Sequence, residues 1–246
     1  VQTLPDRNYS LTWSDDFDGA AGSLPDAAKW NFDLGNGIDG WGNQELQSYT
    51  NNSENIALDG EGNLVITARN DNGSYTSARI NTKGLFAQKY GRFEARIKTP
   101  TGKGIWPALW MLGDNIDDVS WPQCGEIDIM EQKGGQSNIT YGSLHGPGYS
   151  AGEAITQPYF IPNSRFDQDF YVYAVEWGED YVDFYVDSFL YKRLTPEDVT
   201  GEWVYNQPFY LLLNVAIGGT FVGRPDDNTP FPQEMIIDYV RVYQEN

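Results

Sequence analysis

One cysteine, one histidine and three methionines occur among the 246 residues. With Cys124 alone no intrachain disulfide can form, so cysteine usage does not reveal a redox compartment, and a lone buried thiol is expected. Cys124 and His145 together also exclude a zinc site built from several Cys and His ligands. A Ser-His-Asp triad needs only one histidine, but no nucleophile-elbow sequence accompanies His145. Hydrolytic chemistry in this chain must therefore rest mainly on carboxylates. Positive charge is scarce too: 16 Lys and Arg face 35 Asp and Glu, a formal charge of -19. Such a surface repels nucleic acid and anionic membranes, so neither is an expected partner. No run approaches the roughly 20 apolar residues of a membrane span. The start Val1-Gln2-Thr3-Leu4-Pro5 resembles neither a signal nor a transit peptide, which suits a secreted form with its signal removed. A monomer is expected.

Helical periodicity is also missing. Strand-like segments rich in Val, Ile, Tyr and Phe recur at residues 11–17, 64–69, 91–98, 125–131, 138–145, 171–177, 181–186, 209–216 and 235–243. The 26 Gly and 13 Pro are scattered between them as turn punctuation, with no linker and no internal repeat. Short helical turns are expected only near 26–30 and 196–199. The pattern predicts an all-β fold, a β-jelly-roll sandwich of two curved antiparallel sheets with a concave groove, in one domain over residues 1–246.

The most informative segment is Gly125-Glu126-Ile127-Asp128-Ile129-Met130-Glu131. Alternation puts Glu126 and Asp128 on one face and Ile127 and Ile129 on the other. Glu131 would fall on the wrong face unless Ile129 or Met130 forms a β-bulge, a device frequent beside active sites. Three carboxylates would then stand in a row on a strand packed by Ile127, Ile129 and Met130. Two acids flanking a glycosidic bond can cleave it, one protonating the leaving oxygen and the other attacking the anomeric carbon or activating water. Asp128, between the glutamates, would help keep a neighbouring carboxyl protonated by charge repulsion.

Aromatic residues supply a second signal. The chain has eight Trp, and Trp106, Trp110 and Trp121 flank the acidic strand in sequence, where flat rings could hold the C–H faces of sugars. Trp13, Trp30, Trp177 and Trp203 are expected in the core instead.

These motifs, in this order, resemble glycoside hydrolase family 16, and within it the laminarinase-like endo-β-1,3-glucanases. The likeness runs through residues 13–19, the Trp41-Gly42-Asn43-Gln44-Glu45 motif, 77–80, 91–96, 106–113 and 121–122. It includes the Glu-x-Asp-x-x-Glu signature of the acidic strand and closes at 237–243. The resemblance implies a retaining mechanism, with Glu126 as nucleophile, Glu131 as acid/base and Asp128 assisting. It implies that Asn43, Arg79, Trp106, Trp110, Trp121 and His145 bind a β-glucan polysaccharide. It further implies no cofactor for catalysis, and a structural Ca²⁺ near Asp16, Gly60 and Asp238, for which oxygen ligands are suitable. The rivals are an agarase- or carrageenase-like hydrolase, which would want basic residues for sulfate, and a non-catalytic glucan-binding module, which would lose the acids.

Overall fold

A computed structural model describes residues 7–246. In chain order its strands are β1 (Tyr9–Asp15), β2 (Asn31–Asp33), β3 (Ser48–Tyr49), β4 (Ile56–Leu58), β5 (Leu64–Asp71), β6 (Ser74–Ser77), β7 (Arg79–Asn81), β8 (Gly91–Lys98), β9 (Ile105–Gly113), β10 (Glu126–Glu131), β11 (Ile139–His145), β12 (Ile155–Phe160), β13 (Tyr171–Gly178), β14 (Tyr181–Val186), β15 (Phe189–Leu194), β16 (Phe209–Ile217) and β17 (Gln233–Glu245). They form two sheets of a jelly-roll sandwich. One has seven strands in the order β12-β11-β10-β9-β16-β7-β2. The other has ten, in the order β15-β14-β13-β8-β17-β5-β6-β3, with β1 on β17 and β4 on β5. Every ladder is antiparallel except β3 with β6.

Alternation in sequence decides what lies between the sheets. In β8, Phe93, Ala95 and Ile97 point inward, and in β10 so do Ile127 and Ile129, all buried in one core with Leu109, Met111, Leu211, Leu213 and Val215. Each of the larger side chains among them contributes about 1.5–3 kcal/mol by leaving water. In β17 the register against β8 shifts between Ile237 and Tyr239, which lets Ile237, Val240 and Val242 all reach the core. Strand β16 is buried at every position, as expected for a strand covered on both faces.

All nine expected strands are present. Residues 26–30 make a single helical turn, with the Trp30 N–H donating to the Asp26 carbonyl at 3.0 Å, and 196–199 lie in a hydrogen-bonded turn, neither continuing into a helix. Among the described residues the α-helix is one turn, α1 (Ile116–Val119), and no helix is long and apolar enough to cross a membrane. Cys124 is buried and free. Trp30 and Trp177 are enclosed in the core, and Trp13 and Trp203 pack against it.

Candidate active site

The outer face of the seven-stranded sheet carries the chemistry, and a bulge creates it. Against β9, Asp128 pairs with Trp110 but Met130 with Leu109, leaving Ile129 as the extra residue. Against β11, Asp128 pairs with Ser143 and Glu131 with Tyr141, again one residue out of step. Ile127, Ile129 and Met130 all turn into the core, so Glu126, Asp128 and Glu131 share the outer face.

Neighbouring strands complete three rows across that face. Glu126 lies between Leu112 and His145, Asp128 between Trp110 and Ser143, and Glu131 between Ala108 and Tyr141. Trp121 donates its indole N–H to Glu126 Oε2 at 2.9 Å, and Trp106 donates to Glu131 Oε1 at 2.9 Å. His145 Nε2 stands 3.0 Å from Asp128 Oδ2 and 3.6 Å from Glu126 Oε1. The Asp128 contact is one of proximity only, because Oδ2 is buried with no aligned hydrogen-bond partner.

Charge separates these acids from structural ones. On the opposite sheet, buried Asp183 accepts two 2.6 Å hydrogen bonds from Arg193 and lies 3.4 Å from Arg7. Among the described residues no Lys or Arg forms an ion pair with Glu126, Asp128 or Glu131. Burial and the neighbouring Glu126 carboxylate push Asp128 up to about 7. Burial and the Asp128 charge push Glu131 up to about 8, so at neutral pH Glu131 holds a proton. Burial and the Glu131 charge lift Glu126 above the usual carboxylate range as well, and the hydrogen bond from Trp121 restrains that rise. Of the three nearby carboxyls, Glu131 is thus the one pushed furthest into a proton-holding state at neutral pH, as a general acid must be.

The remaining predicted binding residues line the same face. Arg79, bonded to Asp33 at 2.8 Å, places its guanidinium 4.5 Å from the Trp41 ring and 4.8 Å from the Trp110 ring. Trp110 donates to Asn214 Oδ1 at 2.7 Å, Asn214 to Tyr49 Oη at 3.0 Å, and Tyr49 to Glu45 at 3.3 Å. Glu45 also accepts from Asn43 at 3.3 Å. A relay thus ties Asn43 to the groove floor. Sequence reasoning assigned no site role to Trp41 and Glu45, although their motif was recognised, nor to Asn214, Tyr141 and Phe221. Phe221 packs 5.2 Å from Trp106 and 5.5 Å from Tyr141, and its signal was an isolated aromatic in the turn Gly218-Gly219-Thr220-Phe221-Val222-Gly223.

The family model for glycosyl hydrolases family 16 matches residues 42–241. The chain belongs to that family. It is 41% identical to a β-glucanase of Rhodothermus marinus, over 96% of this chain and 86% of the relative. It is 36% identical to glucan endo-1,3-β-glucosidase A1 of Niallia circulans over 96% of this chain, of which it spans only 38%. Among solved structures, the laminarinase catalytic domain of Thermotoga maritima is 48% identical with a TM-score of 0.90, the alignment covering 97% of this chain and 99% of that one. The endo-β-1,3-glucanase of Pyrococcus furiosus is 44% identical with a TM-score of 0.91, covering 98% and 96%. Family 16 membership makes the chain a glycoside hydrolase.

The expected cation residues belong to the other sheet and its turns, apart from the acidic row. Asp16 follows β1, Gly60 lies in the β4–β5 turn, and Asp238 occupies the irregularity where β17 ends its pairing with β5. A Cβ on Gly62 in that turn would lie 4.0 Å from the Asp16 carbonyl oxygen, so the turn and the end of β1 adjoin. The donors are all oxygens, which fits a hard cation. The Asp238 carboxylate is engaged with Arg96 and that of Asp16 with Arg241. A cation would draw on the Asp16 and Gly60 carbonyls and compete with Arg96 for Asp238.

Proposed function

We propose that this glycoside hydrolase is an endo-acting β-1,3-glucanase of the laminarinase type, retaining in mechanism, with mixed-linkage β-glucans as secondary substrates. The bulge at Ile129 carries the reading, because it alone brings Glu131 onto the face of Glu126. In the first step Glu126 attacks the anomeric carbon while Glu131 gives its proton to the departing glycosidic oxygen, leaving a glycosyl ester on Glu126. In the second, Glu131, now a carboxylate, takes a proton from water, which attacks the same carbon and frees Glu126. Asp128 keeps Glu131 protonated for the first step through its charge. Aromatic groups on both flanks of the acids, Trp121 beside Glu126 and Trp106 with Phe221 beside Glu131, favour a polymer passing across the sheet.

The reading extends to location and to a cation. A polysaccharide is met outside the cell, so secretion belongs to the proposal, as does a structural Ca²⁺ held by Asp16, Gly60 and Asp238 that takes no part in bond cleavage. A reducing-sugar assay run side by side on laminarin, lichenan, agarose and carrageenan tests substrate. Laminarin should be cut internally, giving short oligosaccharides early. Activity confined to agarose or carrageenan, or release of glucose alone from chain ends, would sink the endo-glucanase reading.

A further inference from the structure

His145 is the chain's one histidine, and its ring is gripped from both sides. Nε2 faces Asp128 and Glu126 at 3.0 and 3.6 Å. On the far side the backbone N–H of Ala151 donates to Nδ1 at 3.1 Å. A backbone N–H can only donate, so Nδ1 must offer a lone pair there and cannot carry hydrogen. Turning the ring over would put carbon atoms at both contacts, so the orientation is fixed by its surroundings. A neutral imidazole whose Nδ1 accepts carries its proton on Nε2, the nitrogen on the side of the acids.

The loop is built to make that contact. Residues 146–149 close on themselves through paired backbone hydrogen bonds between Gly146 and Tyr149, and 150–154 follow as a tight turn. Ala151 then adopts φ 51, a left-handed conformation that alanine avoids. Backbone strain of this kind, about 1–2 kcal/mol, persists where the surroundings over-determine it and gathers at functional sites. Tyr205 holds the other end of the unit by donating its hydroxyl to the His145 carbonyl oxygen at 2.9 Å.

We infer that the Ala151 amide is a positioning group that locks His145 as the neutral Nε2–H tautomer, giving the nucleophile's neighbourhood a donor without a full positive charge. Every charged or titratable group facing the imidazole is an acid: Glu126 and Asp128 directly, and Glu131 further along β10. Burial opposes a charge on the ring, but the pull of Glu126 and Asp128 outweighs it and pushes the imidazole up to about 10, favouring a second proton. That proton would have to sit on Nδ1, against the Ala151 N–H. The pull also weakens at neutral pH, where Glu131 keeps its proton. A full imidazolium would pair with Glu126 and damp its attack on the anomeric carbon, whereas a neutral ring leaves the charge on Glu126. The role assigned to Glu126 rests on the proposed function, but the tautomer does not.

With a single histidine, long-range ¹H–¹⁵N correlation on uniformly labelled protein gives one ring spectrum. Between pH 6 and 8 it should show a pyridine-like Nδ1 and a pyrrole-like Nε2. Two pyrrole-like nitrogens, or a proton on Nδ1, would overturn the inference even if the protein proves an active glucanase. Ala151→Gly keeps the N–H and eases the positive φ, so it should give the same ring spectrum. Ala151→Pro removes the N–H and, in folded protein, should give an imidazolium or a mixture of tautomers over that range. A folded Pro variant with the unaltered tautomer would assign the lock elsewhere, and if this variant does not fold, the spectrum of the native protein decides.

Discussion

The indole N–H of Trp106 lies 2.9 Å from Glu131 Oε1 and donates to it, the one hydrogen bond that favours the ionised form of an acid which burial and Asp128 otherwise keep protonated. The two influences suit the two halves of a double displacement, since Glu131 must first hold a proton and then take one. Trp106→Phe keeps the packing against Phe221 and removes the donor. A lost charge-assisted hydrogen bond of about 1.5–3 kcal/mol bounds the effect at roughly one to two pH units. The alkaline limb of the kcat/KM profile on laminarin should therefore move upward by about one unit, with a lower kcat. An unmoved limb would contradict the assignment of Glu131 as the titrating acid.

Stability should carry the same signature. The carboxyl of Glu131 is near 4.5 in its ordinary state and about 8 in the fold, so between those values the folded protein binds the additional proton. Stability is then fullest below about pH 4.5 and is lost as pH rises through 8. Glu131→Gln removes this titration. Thermal melts should show the variant gaining on the native protein between pH 5 and 8.5, by about 2–4 °C for each kcal/mol relieved, with no gain near pH 4. A gap that shrinks as pH rises would give the wrong sign.

The relay from Trp110 through Asn214 to Tyr49 and Glu45 makes Asn214 a support for the groove. Asn214→Ala strands the Trp110 N–H in a largely buried place, at about 1–3 kcal/mol, and leaves the Tyr49 hydroxyl with only its bond to Glu45. A lower melting temperature is expected, together with a KM for laminarin that rises more than kcat falls. A loss confined to kcat would place Asn214 in the chemistry instead.

Calcium is expected to support the fold only. Chelation should lower the melting temperature of the loaded protein while substantial activity remains below the new melting point, because Asp238 and the acidic row lie on different sheets. Immediate, calcium-reversible loss of catalysis in still-folded protein would show otherwise.

The acidic row was legible because it combined two incompatible demands, alternating burial and three acids on one face, and only a bulge satisfies both. Strand β9 was not read, although it is central, because Pro107 breaks the pattern and proline is excluded from most interior ladders. The structure accommodates it where β10 ends: pairing stops at Ala108 with Glu131, and the Pro107 carbonyl accepts from Gln132 just beyond, at 3.2 Å. Strand β12 was hidden for a related reason, with Pro158 tolerated on a sheet edge. Trp41 and Phe221 sit in turns whose shape depends on left-handed residues, such as Trp41 itself at φ 57, and local sequence does not reveal which way such a ring will face. Glu45 was invisible as a support because its importance lies in its contacts with Asn43 and Tyr49.

The central claim is the division of labour between Glu126 and Glu131, and azide trapping on an activated β-glucoside tests it most directly. With Glu131→Ala the glycosyl ester still forms but water is poorly deprotonated, so azide, which needs no base, should restore turnover and yield the β-glycosyl azide. With Glu126→Ala azide should attack directly in the vacated space and yield the α-glycosyl azide in one inverting step. The opposite pairing of variants and products would reverse the two roles, and an inverted sugar released by the native protein would contradict the retaining mechanism itself.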